Sequence, residues 1–154
     1  MYKVEDLLPH RKPMIVLDKV ESCDFEQAKI VVSFTIRKED VFFDESLNGV
    51  ASYCALEYMA QAIGCFAGLF GKSQDANYKQ DLGFVLGSRN MELNISTFEN
   101  GRTYKVEASK VFFDDELASF SCTILDENSN VCASASINVF KPNNPLKFLN
   151  KINE

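Results

Sequence analysis

Two side chains in this sequence could carry proton-transfer chemistry, His10, which is the chain's single histidine, and Glu57, with Gln61 placed to orient the second. Imidazole is the side chain that ordinarily changes charge near neutral pH, so one histidine leaves few routes to acid–base work. Glu57 stands in the apolar run from Ala55 to Phe70. A carboxyl group drawn out of water by such surroundings suits a general acid or base, and the competing reading is a paired carboxylate at a subunit interface. Buried carboxylates are uncommon unless paired or functional, which puts the functional reading first. Gln61, one helical turn on, can orient Glu57 or bond a partner chain. His10 lies in Leu7-Leu8-Pro9-His10-Arg11-Lys12-Pro13, a segment that its prolines hold extended. By residue type alone a lone histidine is more often a surface or hydrogen-bonded group than a catalyst. Arg11 and Lys12 read as solvated charges, which at a pocket mouth would suit an anionic ligand.

The elements that must position these residues follow from hydrophobic periodicity. Met14 to Val20 and Lys29 to Ile36 are β-branched and apolar, and predict two strands joined by a polar turn around Glu21 to Glu26. A long helix is expected from Ser52, as cap, to Gly71. At 100° per residue, Leu56, Met59, Ala60, Ile63, Ala67 and Phe70 form an apolar stripe, yet Ala55, Ala62, Phe66 and Leu69 leave almost no polar face. Such a helix must be enclosed. Glu57, Gln61, Gly64 and Gly68 fall on one narrow stripe of it, a polar notch followed by a groove of small residues. Beyond a polar loop, period-two alternation predicts about four further strands in a meander, with turn chemistry at Asn100-Gly101, Asp114-Asp115 and Asp126 to Asn130. One helix and one antiparallel sheet imply a sheet curled around the helix, with a second copy of the chain over the remaining face.

Composition bounds the partners. The 154 residues suit a single domain over 1–140 with a short basic tail over 141–154, and 46% hydrophobic with 25% charged residues is the balance of a globular chain. A formal charge of −6 argues against nucleic acid. The five cysteines are odd in number and lack a C-x-x-C pair, so they read as reduced core residues, and with one histidine no metal cage is expected. Charges at the start leave no signal-peptide run, which predicts a cytoplasmic location. The helix, interrupted by Glu57 and Gln61, is expected to fall short of a membrane span.

Two segments resemble a known family. Leu8-Pro9-His10-Arg11-Lys12-Pro13-Met14-Ile15-Val16-Leu17-Asp18-Lys19-Val20 is similar to the L-P-H-R-x-P…D-[RK]-V opening of the 3-hydroxyacyl-[acyl-carrier-protein] dehydratases. Glu57-Tyr58-Met59-Ala60-Gln61-Ala62-Ile63-Gly64 resembles their helix motif E-[AS]-M-A-Q-x-x-G. With Gly83-Phe84-Val85-Leu86-Gly87-Ser88-Arg89 downstream, the chain looks most like the dehydratase-like proteins of aryl-polyene biosynthesis clusters. The resemblance implies an α+β hotdog fold, one long helix wrapped by a curved antiparallel sheet of about five or six strands. It also implies dehydration of a 3-hydroxyacyl thioester to the trans-2-enoyl thioester, in fatty-acid or aryl-polyene type synthesis. One departure stands out. Where the family carries a catalytic histidine in H-F-P-G before the helix, this chain has Phe42-Phe43-Asp44-Glu45-Ser46-Leu47-Asn48-Gly49.

Dehydration needs a base for the α-proton, an acid for the departing hydroxyl and donors for the thioester carbonyl. The expected assignment gives the α-proton to His10 and the acid role to Glu57. The carbonyl oxygen goes to backbone N–H groups at Ala51, Ser52 and Tyr53, and the acyl chain runs along Gln61, Gly64 and Gly68. Arg11, Lys12 and Arg89 would receive a phosphopantetheine arm, on acyl carrier protein or coenzyme A, with no further cofactor. Alternatives to His10 are a group from a partner subunit or lost activity. The competing functions are a weakly active hotdog subunit that binds carrier protein or partners a true dehydratase, and an acyl thioesterase. The expected assembly is a homodimer or higher oligomer, or a mixed hotdog oligomer.

Overall fold

A computed structural model describes residues 2–9, 12–78, 84–114 and 116–140 of the chain, the side chains of 84–86 and 113 excepted. After a one-turn helix α1 (Val4–Leu7), a β-hairpin is formed by β1 (Lys19–Asp24) and β2 (Lys29–Thr35), and two short strands follow, β3 (Phe43–Asp44) and β4 (Gly49–Ala51). A 3-10 turn over Ser52–Cys54 leads into the long helix α2 (Ala55–Gln74). The rest is strand: β5 (Phe84–Leu93), β6 (Thr97–Glu99), β7 (Thr103–Asp114), β8 (Leu117–Leu125) and β9 (Val131–Phe140). All pairings are antiparallel, in a six-stranded sheet of order β1-β2-β7-β8-β9-β5 and a three-stranded one of order β3-β4-β6. This is the α+β hotdog arrangement, a sheet folded over one helix.

The core lies between α2 and the inner face of the large sheet. Ile30, Val32 and Phe34 of β2, Val106 and Ala108 of β7, Cys122 and Ile124 of β8 and Ala133 and Ile137 of β9 are buried at every second position, as a half-buried strand requires. Opposite them the helix buries Ala55, Tyr58, Met59, Ala62, Cys65 and Phe66. Phe34 and Tyr58 stack with ring centroids 4.1 Å apart, and Phe98 and Tyr104 close the cluster edge-on or stacked. The buried centre is thus rotated from the expected stripe. Met59 and Ile63 are buried, Leu56, Ala60 and Ala67 only half so, and Phe70 is 49% exposed. A helix apolar all round gives the sequence no means of choosing which stripe meets the sheet.

Several boundaries depart from expectation for physical reasons. The first strand starts at Lys19, not Met14, because the Met14 carbonyl and the Val16 N–H bond to a helix side chain (described below) and the chain joins β2 only from the Asp18 N–H, which donates to the Ser33 carbonyl at 2.9 Å. The helix runs past Gly71 to Gln74, since the Tyr78 ring packs directly on Gly71 and covers the turn that glycine was expected to end. Ser52 makes no side-chain cap and belongs to the 3-10 turn. The late strands are not a simple meander. β5 crosses to the far edge beside β9, while β6 leaves the large sheet to pair with β4. Ser52–Gln74, at 23 residues with mean hydropathy 1.2, is long and apolar enough to cross a membrane by length and composition. Half of its apolar window is buried inside the fold, as the core helix that the sequence predicts. The tail, 141–154, lies outside the described residues.

Candidate active site

Glu57 sits in the first turn of α2, half-buried, with Gln61 one turn below it. Gln61 is 1% exposed, so its amide must find partners within the protein. It finds three. Its Oε1 accepts from the Val16 N–H at 3.0 Å, and its Nε2 donates to the Met14 carbonyl at 2.8 Å and to Glu57 Oε1 at 2.8 Å. The pattern admits only one orientation of the amide, because a flip would set its oxygen against two acceptors. One side chain therefore does two jobs. It grips the backbone on both sides of Ile15, holding the strap that follows Pro13 against the helix, and it fixes one oxygen of the Glu57 carboxylate.

The strap's far end is held by the aspartate of the Asp18-Lys19-Val20 motif. Asp18 Oδ2 accepts from the Thr35 N–H at 2.7 Å, and both its oxygens take Arg37 Nη1 at 3.1 Å. This explains a motif residue that spacing alone left without a role: Asp18 ties the strap to the end of β2. Sequence reasoning missed it and the Met14 and Val16 backbone groups. The available signal was a motif aspartate with no chemistry to do.

The other expected site residues are distributed as follows. Ala51 is buried in β4, opposite Thr97 of β6, and the Ser52 N–H donates to the Ser96 carbonyl at 3.0 Å. That N–H is committed to the fold and is not available to a thioester, which corrects the expectation for Ser52. Tyr53 projects from the 3-10 turn, 78% exposed, one turn before Glu57. Gly64 is half-buried on the Glu57–Gln61 stripe. Gly68 is not open: a Cβ there would lie 2.5 Å from the Leu7 carbonyl oxygen and 3.1 Å from its Cα, so the end of α1 already occupies the groove. Gly68 is explained by close approach of the chain's own backbone, not by an acyl chain. Lys12 is exposed on the strap, and Arg89 is exposed on the edge strand β5, paired with Ser136. His10 and Arg11 lie outside the described residues.

The cysteines are all free thiols. Burial pushes Cys65 and Cys122 up to about 12, and raises Cys23 and Cys54 as well. Burial raises Cys132 too, so none has the depressed pKa of a nucleophilic thiolate.

A carboxylate is thus held on the core helix beneath a strap in a hotdog scaffold, and known structures share that fold. The chain matches the dehydratase heterocomplex ApeI:P from Xenorhabdus doucetiae with a TM-score of 0.89 and 23% identity, over 100% of this chain and 99% of that one. A hypothetical thioesterase with coenzyme A from Streptococcus pneumoniae matches with TM-score 0.60 and 11% identity, covering 79% of this chain and 83% of that one. The E. coli PaaI protein of the phenylacetic acid degradation operon gives 0.59 and 9%, covering 80% and 82%. At these identities the likeness shows the fold. No curated protein matches the sequence. The family is given by sequence: residues 2–150 match the ApeP-like family, ApeP dehydratase, and the chain belongs to it.

Proposed function

We propose that this dehydratase-family chain removes water from a 3-hydroxyacyl thioester, carried on acyl carrier protein, to give the trans-2-enoyl thioester in aryl-polyene type synthesis. The observation that supports this most directly is the half-buried Glu57 carboxylate, held at Oε1 by a fully buried Gln61. In this reading the α-proton passes to His10, the β-carbon–oxygen bond breaks, and the hydroxyl leaves as water with a proton from Glu57. The α-carbon electron pair becomes the new double bond. With the Ser52 N–H committed, the carbonyl oxygen is assigned to the N–H of Tyr53 at the helix start. The acyl chain passes Gly64 and stops before Gly68, where Leu7 sits. Lys12 and Arg89, with Arg11, are the cations for the carrier's phosphate and acidic surface. The reading needs no cofactor beyond the substrate's own phosphopantetheine.

The test is turnover of 3-hydroxyacyl thioesters by the wild type, Glu57→Gln and His10→Ala. Loss of about a hundredfold or more is expected on removing either acid–base group; undiminished activity in both variants refutes the assignment. A second reading, a subunit of a mixed hotdog oligomer, is favoured by the heterocomplex named for the structure that matches the whole chain and by the missing H-F-P-G histidine. It predicts an inactive chain alone that gains activity with a second hotdog subunit. Release of free thiol without enoyl product would instead indicate a thioesterase.

A further inference from the structure

The strap that Gln61 grips on one side forms the wall of a depression on the other. Its floor is apolar: Val4 of α1 and Leu17 of the strap are 6% and 4% exposed, and Ile15 and Val20 pack half-buried against the same core. Its rim carries Lys3, Lys12 and Lys19, all exposed, and the volume is about 460 Å³. Two carboxylates also line it, Glu5 and Asp18. Asp18 is already engaged by Arg37 and the Thr35 N–H, and Lys19 reaches Glu21 at 4.0 Å, so Lys3 and Lys12 face Glu5 as the remaining carboxylate of the lining. A concavity of this size with an apolar floor and convergent like charges is the arrangement of a small-molecule site. In a chain of net charge −6, the sign of that rim is opposite to the whole. Glu57 does not line it.

We infer that this depression between α1 and the strap binds a small amphipathic anion, a carboxylate or phosphate monoester with a short apolar body, at a site separate from Glu57. The lysines take the anionic head, and Ile15, Leu17 and Val20 take the body. Ile15 is flanked by the two backbone groups that Gln61 holds, so occupancy reaches the Gln61 amide through one residue. The inference shares Lys12 with the carrier role proposed above, and it is tested by probe binding alone, without turnover.

The test uses octanoate and octyl phosphate as probes, with octanol as the uncharged control, titrated into the 15N-labelled full chain and followed by 1H–15N correlation spectra. Both anions are expected to shift the backbone amides of Lys3, Ile15, Leu17 and Val20 and the Gln61 side-chain NH2 saturably, and the tighter of the two identifies the head group. Octanol should not. The double variant Lys3→Gln/Lys19→Gln changes exposed side chains, gives up only the surface Lys19–Glu21 pair, and should melt close to the wild type while binding at least about tenfold more weakly. Equal binding by octanol, unchanged affinity in the double variant, no shifts up to concentrations on the order of 10 mM, or shifts confined to Tyr53, Ala60 and Gly64 would each overturn it.

Discussion

Replacing Gln61 with leucine should cost stability as well as activity, and the size of the loss can be worked out. The side chain is 1% exposed and makes three hydrogen bonds of 2.8–3.0 Å. Each contributes about 1 kcal/mol net, so their removal costs about 3 kcal/mol. Leucine nearly conserves the volume and returns about 1 kcal/mol through added apolar burial. A net loss of about 2 kcal/mol remains, which for a chain of this length lowers the melting temperature by roughly 4–8 °C. Urea denaturation should show a lower midpoint at unchanged m-value, since the surface exposed on unfolding is the same. Glu57→Gln supplies the control. Its amide oxygen can still accept from Gln61, so stability should stay within about 0.5 kcal/mol of wild type while turnover collapses. The reasoning fails if Gln61→Leu is equally neutral, because the strap would then be held by something other than this amide.

Three further outcomes follow from the geometry. The Tyr58 hydroxyl is buried and has no hydrogen-bond partner among the described residues, so Tyr58→Phe should leave stability unchanged or raise it by about 1 kcal/mol; a clear loss by thermal melt would mean that the hydroxyl is bonded. Gly68→Ala should destabilise by about 1–3 kcal/mol although alanine favours helices, because its Cβ meets the Leu7 backbone, and a stabilised variant in denaturant titration would show that α1 yields. With Cys65 and Cys122 pushed up to about 12 by burial, alkylation at pH 8 followed by mass spectrometry should leave both unlabelled in the native protein and label them after unfolding; native labelling would contradict their burial.

Sequence patterning located most elements because each hydrophobic period has one physical solution. Phe120, Cys122 and Ile124 alternate with Ser121 and Thr123, and the structure buries the first three. Patterning failed where partners are not local. Met14 to Val20 reads as a strand because it is β-branched and apolar, yet the Met14 carbonyl and the Val16 N–H bond to Gln61, far along the chain. No period records that. The helix face was misread because every stripe is apolar, and Gly68 was assigned to a ligand because a glycine does not say which neighbour approaches it. The pairing of Glu57 with Gln61 was legible, since residues four apart in a helix must face each other. The strand order was not, because β5 and β7 carry equally good patterns for neighbouring β8 or β9.

That strand order bears on how the chain folds as it is made. β5 emerges soon after the helix, but its only partner in the large sheet is β9, the final strand described. Until residues 131–140 are available, β5 has a full row of unpaired backbone groups, which is the kind of edge that recruits foreign strands. The large sheet therefore closes by a long-range step late in synthesis, the slow sort of contact to form. A chain stopped before Val131 would carry two exposed edges, β5 and β8, in place of the pairing that joins both to β9, and aggregation of such fragments is the expected cost of placing β9 between two strands made before it.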